Sequence, residues 1–64
     1  MAKIGDTIRI NFMDDQLNGW RYAGKEGVIE RIDAIGQLHG TWGGLAVVPG
    51  VDSYTVIKKA EDNE

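Results

Sequence analysis

Five side chains carry most of the chemistry this chain could direct at another molecule: Asp14, Asp15, Trp20, Tyr22 and His39. Adjacent carboxylates such as Asp14 and Asp15 can receive a basic partner residue or cap the N–H groups of their own loop. Trp20 and Tyr22 flank Arg21, a grouping suited to stacking on a peptide or a base and to anchoring a protein contact. The competing role for Trp20 is a lid over the core, because so short a chain needs its bulky side chains inside. His39 is the sole imidazole and Ser53 the sole serine. Nucleophilic catalysis needs a nucleophile, a base and a group that orients the base, and these residues are not spaced as such a trio. Asp14 and Asp15 meet at a strand end, where successive side chains point apart, so they are poorly placed for acid–base work. The chain has no cysteine, which excludes a disulfide scaffold and the usual structural zinc sites. A hard-cation site at the two aspartates would need more oxygen ligands than the sequence supplies nearby. These residues predict a binding module that is not an enzyme and uses no cofactor or metal.

Charge narrows the class of partner. The net charge is −3, from 10 acidic and 7 basic residues, and three of the acids (Glu61, Asp62 and Glu64) fall in the last four positions. Without them the body is neutral. Nucleic-acid binders usually carry a basic excess, since neutralising phosphates dominates their affinity. Arg9, Arg31, Lys58 and Lys59 could gather on one flank, but Asp6, Glu26 and Glu30 are interleaved with them. A protein or peptide is therefore the expected partner, ahead of RNA. No apolar run approaches the roughly 18 to 20 residues of a membrane helix, and no signal-peptide core opens the chain. The expected setting is cytoplasmic, with the domain a monomer or a weak homodimer.

The elements that must position these residues are strands. Isoleucine and valine together number 12 against 3 leucines, a bias toward the branched side chains that suit a pleated surface. The 9 glycines cut the chain into short segments, leaving no sustained helical stripe. Residues 7–12 alternate, with Ile8, Ile10 and Phe12 predicted inward and Thr7, Arg9 and Asn11 outward. Residues 27–32 form a second strand, in which the three-residue offset of Ile29 and Ile32 predicts a bulge at Glu30-Arg31. Asp33 to Gly36 is a hairpin turn with Gly36 at positive φ. Strand three, 37–42, places Leu38, Gly40 and Trp42 inward and His39 outward. Gly40 leaves room for an aromatic to lie flat, with Phe12 and Tyr54 the candidates. Gly43-Gly44 predicts a tight two-residue turn into strand four, 45–48, which Pro49-Gly50 ends. Residues 54–58 complete the set, and 13–26 is a long loop. Five short strands with tight hairpins predict a small all-β domain over residues 1–59, a five-stranded SH3-like barrel, with 60–64 as an acidic tail.

Gly24-Lys25-Glu26-Gly27-Val28-Ile29, Ile32-Asp33, Gly36 and Leu38 resemble the pattern of KOW-type and related SH3-like barrels. Gly5 to Ile10, Met13-Asp14-Asp15, Gly36-Gln37-Leu38-His39, Trp42 and the run from Leu45 to Asp52 resemble a narrower domain-of-unknown-function family of Gram-positive bacteria, their phages and mobile elements. The stretch between Trp42 and Leu45 is shorter than that family's usual loop, and Gly40 stands where a branched residue is typical. The resemblance implies a barrel. Its alternatives for function are RNA binding of the KOW kind, or inhibition or scaffolding of a host protein.

Overall fold

A computed structural model describes residues 2–14 and 19–60. Alternating apolar and polar side chains make Thr7–Phe12 a strand, β1. A four-residue helical turn, α1 (Gly19–Tyr22), interrupts the segment expected to be loop. It leads into β2 (Glu26–Ile32), followed by the short β3 (Leu38–Gly40) and by β4 (Ser53–Lys58). All strand pairs are antiparallel, and the sheet order is β3-β2-β1-β4. Among the described residues the domain is thus all-β apart from one helical turn, and its sheet has four strands and does not close.

Segment 45–48 departs from expectation. It contributes no strand, only a bridge between Val47 and Leu38, and Pro49 bridges Asp52. Both Gly43 and Gly44 do have positive φ (86° and 78°). A two-residue turn there would pair Leu38 with Pro49, but the bridge falls at Val47, so the turn sits at the tip of a wider loop. The cause is Trp42, whose indole N–H donates to the Leu45 carbonyl at 2.7 Å and pulls the loop inward.

Ile8, Ile10, Met13, Ile29, Leu38, Trp42 and Val47 are buried and form the core, with Ala2, Tyr22, Tyr54 and Val56 packed against it. Each fully buried branched or leucine side chain contributes on the order of 1.5–3 kcal/mol. Trp42 packs its ring against two glycines. A Cβ at Gly40 would collide with its ring and with the Val28 carbonyl, and one at Gly27 would come within 3.0 Å of the ring. The aromatic over Gly40 is therefore Trp42, two residues along the same chain, and neither Phe12 nor Tyr54.

Phe12 is the other correction. It is 56% exposed, while Met13 is 3% exposed. The β1–β4 register shifts between Ile10 and Phe12, and the extra residue inverts the alternation so that Met13 takes the inward place. In β2 the register shifts between Ile29 and Arg31, as the spacing of the isoleucines predicts. Ile32, past the bulge, remains 36% exposed. The turn at 33–36 also forms as expected, with the Gly36 N–H donating to the Asp33 carbonyl at 3.0 Å and φ of 88° at Gly36.

One carboxylate fastens the first strand to the end of the last. Asp6 is 2% exposed, and it accepts the Lys3 N–H at 3.0 Å and the Ala60 N–H at 2.7 Å. Those two N–H groups hold its carboxyl below the ordinary carboxylate range. Ala60, predicted as the start of a frayed tail, is half-buried against this clasp. The rest of that tail, 61–64, lies outside the described residues.

Candidate functional site

His39 sits in the middle of β3 and points to the outer side of the sheet, as alternation predicts. Its position follows from the turn before it. Asp33 N–H donates to the Gln37 carbonyl at 3.0 Å, which fixes the hairpin so that Ile32 pairs with Leu38 and Arg31 with His39. The turn also orders Asp33. Its Oδ1 accepts the N–H groups of Ile35 (3.1 Å) and Gln37 (2.8 Å), leaving Oδ2 for His39 Nε2 at 2.8 Å. His39 is thus partnered by a carboxylate rather than simply solvated. The His39 hydrogen bond first, then the Gln37 N–H, hold the Asp33 carboxyl below its usual range. With Nε2–H donated to Asp33, the neutral ring offers its Nδ1 lone pair to a ligand, and the protonated ring offers a second N–H.

Glu30, Arg31, His39, Gly40, Gly44 and Leu45 line an open cleft of about 410 Å³ beside this pair. One wall is the bulged part of β2, which presents Glu30 and Arg31 together because the extra residue breaks the alternation. The opposite wall is the 43–45 turn, braced from behind by α1. Tyr22 is half-buried; its hydroxyl accepts the Leu45 N–H at 3.3 Å and fills the place a side chain at Gly44 would need. The structure therefore joins two of the expected residues, Tyr22 and His39, to opposite sides of one feature.

The others are placed differently. Asp14 is exposed beyond β1, and its N–H donates to Asp52 Oδ1 at 2.7 Å while Asp52 Oδ2 accepts the Val48 N–H at 2.8 Å. Among the described residues it is Asp52 that caps this loop, a carboxylate the sequence did not single out. Asp15 lies outside the described residues. Trp20 belongs to α1, and its side chain lies outside the described residues as well. Of the basic residues, Arg9 pairs with Glu26 at 3.2 Å, an exposed contact worth about 0–1 kcal/mol.

Sequence reasoning missed Arg31 and Glu30 as cleft residues and Asp33 as the partner of His39. The signal for Asp33 was present: a three-residue hairpin loop ending in Gly36 fixes the register that brings residues 33 and 39 to one side. Among the described residues no cluster of histidines and carboxylates suits a metal ion, and no helix is long and apolar enough to cross a membrane.

A family model, Domain of unknown function (DUF4314), matches residues 3–57. The chain belongs to this family. The match takes in the cleft, the Asp33–His39 pair and the sheet up to Ile57, one residue short of the end of β4. No curated protein and no solved structure matches the chain.

Proposed function

We propose that this DUF4314 domain is a small non-enzymatic interaction module that binds a protein or peptide partner through the 13–26 segment and the outer side of β3. The observation that supports this best is the cleft: a polar recess beside a strand, with His39 on one side and the Tyr22-braced turn on the other. Asp14, Asp15, Trp20, Tyr22 and His39 are its partner-facing residues, acting by aromatic anchoring and charge-assisted hydrogen bonds. In the same proposal the open sheet is an SH3-like arrangement of the KOW kind, with its remaining strand reduced to the bridges at Val47 and Pro49. The host is bacterial or phage-borne, the setting cytoplasmic, and the domain a monomer or weak homodimer.

The test selects random dodecapeptides against the labelled domain and maps the recovered binders by amide NMR, with single-stranded RNA titrated in parallel at low and high salt. Shifts centred on Tyr22, His39 and Leu45, with Tyr22→Ala folded but weakened, support the module. Shifts with RNA alone that vanish at high salt and on charge reversal at Lys58 and Lys59 would replace it with nucleic-acid binding.

A further inference from the structure

The hydrogen-bond ladder on the outer edge of β3 stops one pair short. Leu38 exchanges both backbone bonds with Val47, at 2.8 and 2.9 Å. A strand presents the same edge at every second residue, so Gly40 turns its N–H and C=O to the side that Leu38 uses. In that register the partner of Gly40 is Leu45. Both backbone groups of Leu45 are engaged elsewhere, the carbonyl by the Trp42 indole at 2.7 Å and the N–H by the Tyr22 hydroxyl at 3.3 Å. Among the described residues no backbone group pairs with the outer edge of β3 at Gly40, and this edge adjoins the cleft that Gly40, Gly44 and Leu45 line.

Charge stands next to that edge. Arg31 and His39 are directly opposed across β2 and β3. Arg9 is paired with Glu26 and His39 with Asp33, whereas Arg31 has no ion-pair partner among the described residues. Glu30, its chain neighbour at the bulge, is the acid that also lines the recess.

We propose that the cleft takes an extended peptide segment bearing an acidic side chain. The peptide backbone pairs with the N–H and C=O of Gly40 and completes the interrupted ladder, and the carboxylate is received by Arg31. Glu30 opposes the acid and sets a limit on affinity. This rests on the reading of the domain as a peptide-binding module and adds the chemistry of its ligand.

The probe is a fluorescein-labelled, end-capped Val-Glu-Val-Glu-Val peptide, compared with its Gln analogue and with a version N-methylated at alternate residues. Binding is followed by anisotropy and by amide shifts of the intact chain. The Glu peptide is expected to bind with shifts at Gly40, Gly44 and Leu45. Arg31→Gln is expected to weaken it about tenfold, as loss of a charge-assisted hydrogen bond does. Glu30→Gln is expected to tighten it a few-fold, and N-methylation to abolish it. Both substitutions fall on exposed residues, so folding is not at stake. Equal affinity for the Glu and Gln peptides, together with a neutral Arg31→Gln, overturns the acidic preference while leaving a peptide module. Equal affinity for the N-methylated peptide overturns the strand pairing. If neither this peptide nor any selected dodecapeptide shifts the domain, both this proposal and the module reading fall.

Discussion

Adding a single methyl group at Gly40 tests how the core is assembled. Gly40 is not among the glycines with positive φ, so its backbone suits alanine; the obstacle is space. The new Cβ would meet the Trp42 ring and the Val28 carbonyl. Overpacking of this kind costs about 1–3 kcal/mol. The upper part of that range applies, because Val28 is held on both sides: its carbonyl accepts the Thr41 N–H at 3.1 Å and its N–H donates to Thr41 Oγ1 at 3.0 Å. Alanine returns about 0.4–1 kcal/mol by restricting the unfolded chain. The net loss is then about 1.5–2.5 kcal/mol. For a domain near this size that lowers the melting temperature by roughly 6–20 °C. Urea midpoints and circular-dichroism melts measure it. Gly36→Ala is the control, since nothing lies within 4 Å there and φ is 88°. Its cost, about 1–2 kcal/mol, comes from the backbone alone. In a Trp42→Leu background the cost of Gly40→Ala should shrink without vanishing, because the Val28 carbonyl remains, and the cost of Gly36→Ala should stay the same. A Gly40→Ala protein as stable as the parent, or a cost that ignores Trp42, would refute the close packing of this ring on Gly40.

Two further outcomes concern the Asp6 and Asp33 carboxylates and the bulge in β1. Asp6 and Asp33 both have carboxyl pKa values held below the ordinary 3.8. The unfolded chain therefore takes up protons first, and the stability they add is present above about pH 4 and lost as pH falls through the lower folded values. In urea midpoints measured from pH 7 to pH 2, the gap between the parent and Asp6→Asn should narrow below pH 4; a gap of constant size argues against the clasp. The β1 bulge predicts that Phe12→Thr changes stability by no more than about 0.5 kcal/mol, whereas Met13→Ala costs about 2–5 kcal/mol. The reverse order would mean that Phe12, and not Met13, faces the core.

Much of the sheet was legible because its signals were local. Ile8 and Ile10 alternate with polar residues, and the offset of Ile29 from Ile32 marks a bulge in the place where one occurs. Phe12 misled because Met13 beside it is also apolar, so no change of residue type marks the shift between them. Strand four misled for a different reason. Leu45 to Val48 has strand composition, but the Trp42 and Tyr22 side chains capture the backbone groups of Leu45, and such side-chain contacts, one local and one from 23 residues away, leave no periodic trace there. At the candidate site, the outward direction of His39 could be read from alternation. The Asp33 contact could have been read from the Gly36 turn, had the register been carried two residues further. Arg31 was weighed as part of a basic flank, and only the bulge shows that it faces a recess.

The Asp6 clasp has a mechanical consequence. Lys3 and Ala60 hang from the two oxygens of one side chain, and just beyond it Thr7 and Lys58 are paired at the same end of antiparallel strands. A tension applied between residues 3 and 60 would load that carboxylate first and then part β1 from β4 one pair at a time, like a zipper. Strands pulled in this direction share no load among their bonds. The domain is therefore built to yield at low force when stretched from these two points, and the clasp is the catch that must open before the unzipping starts.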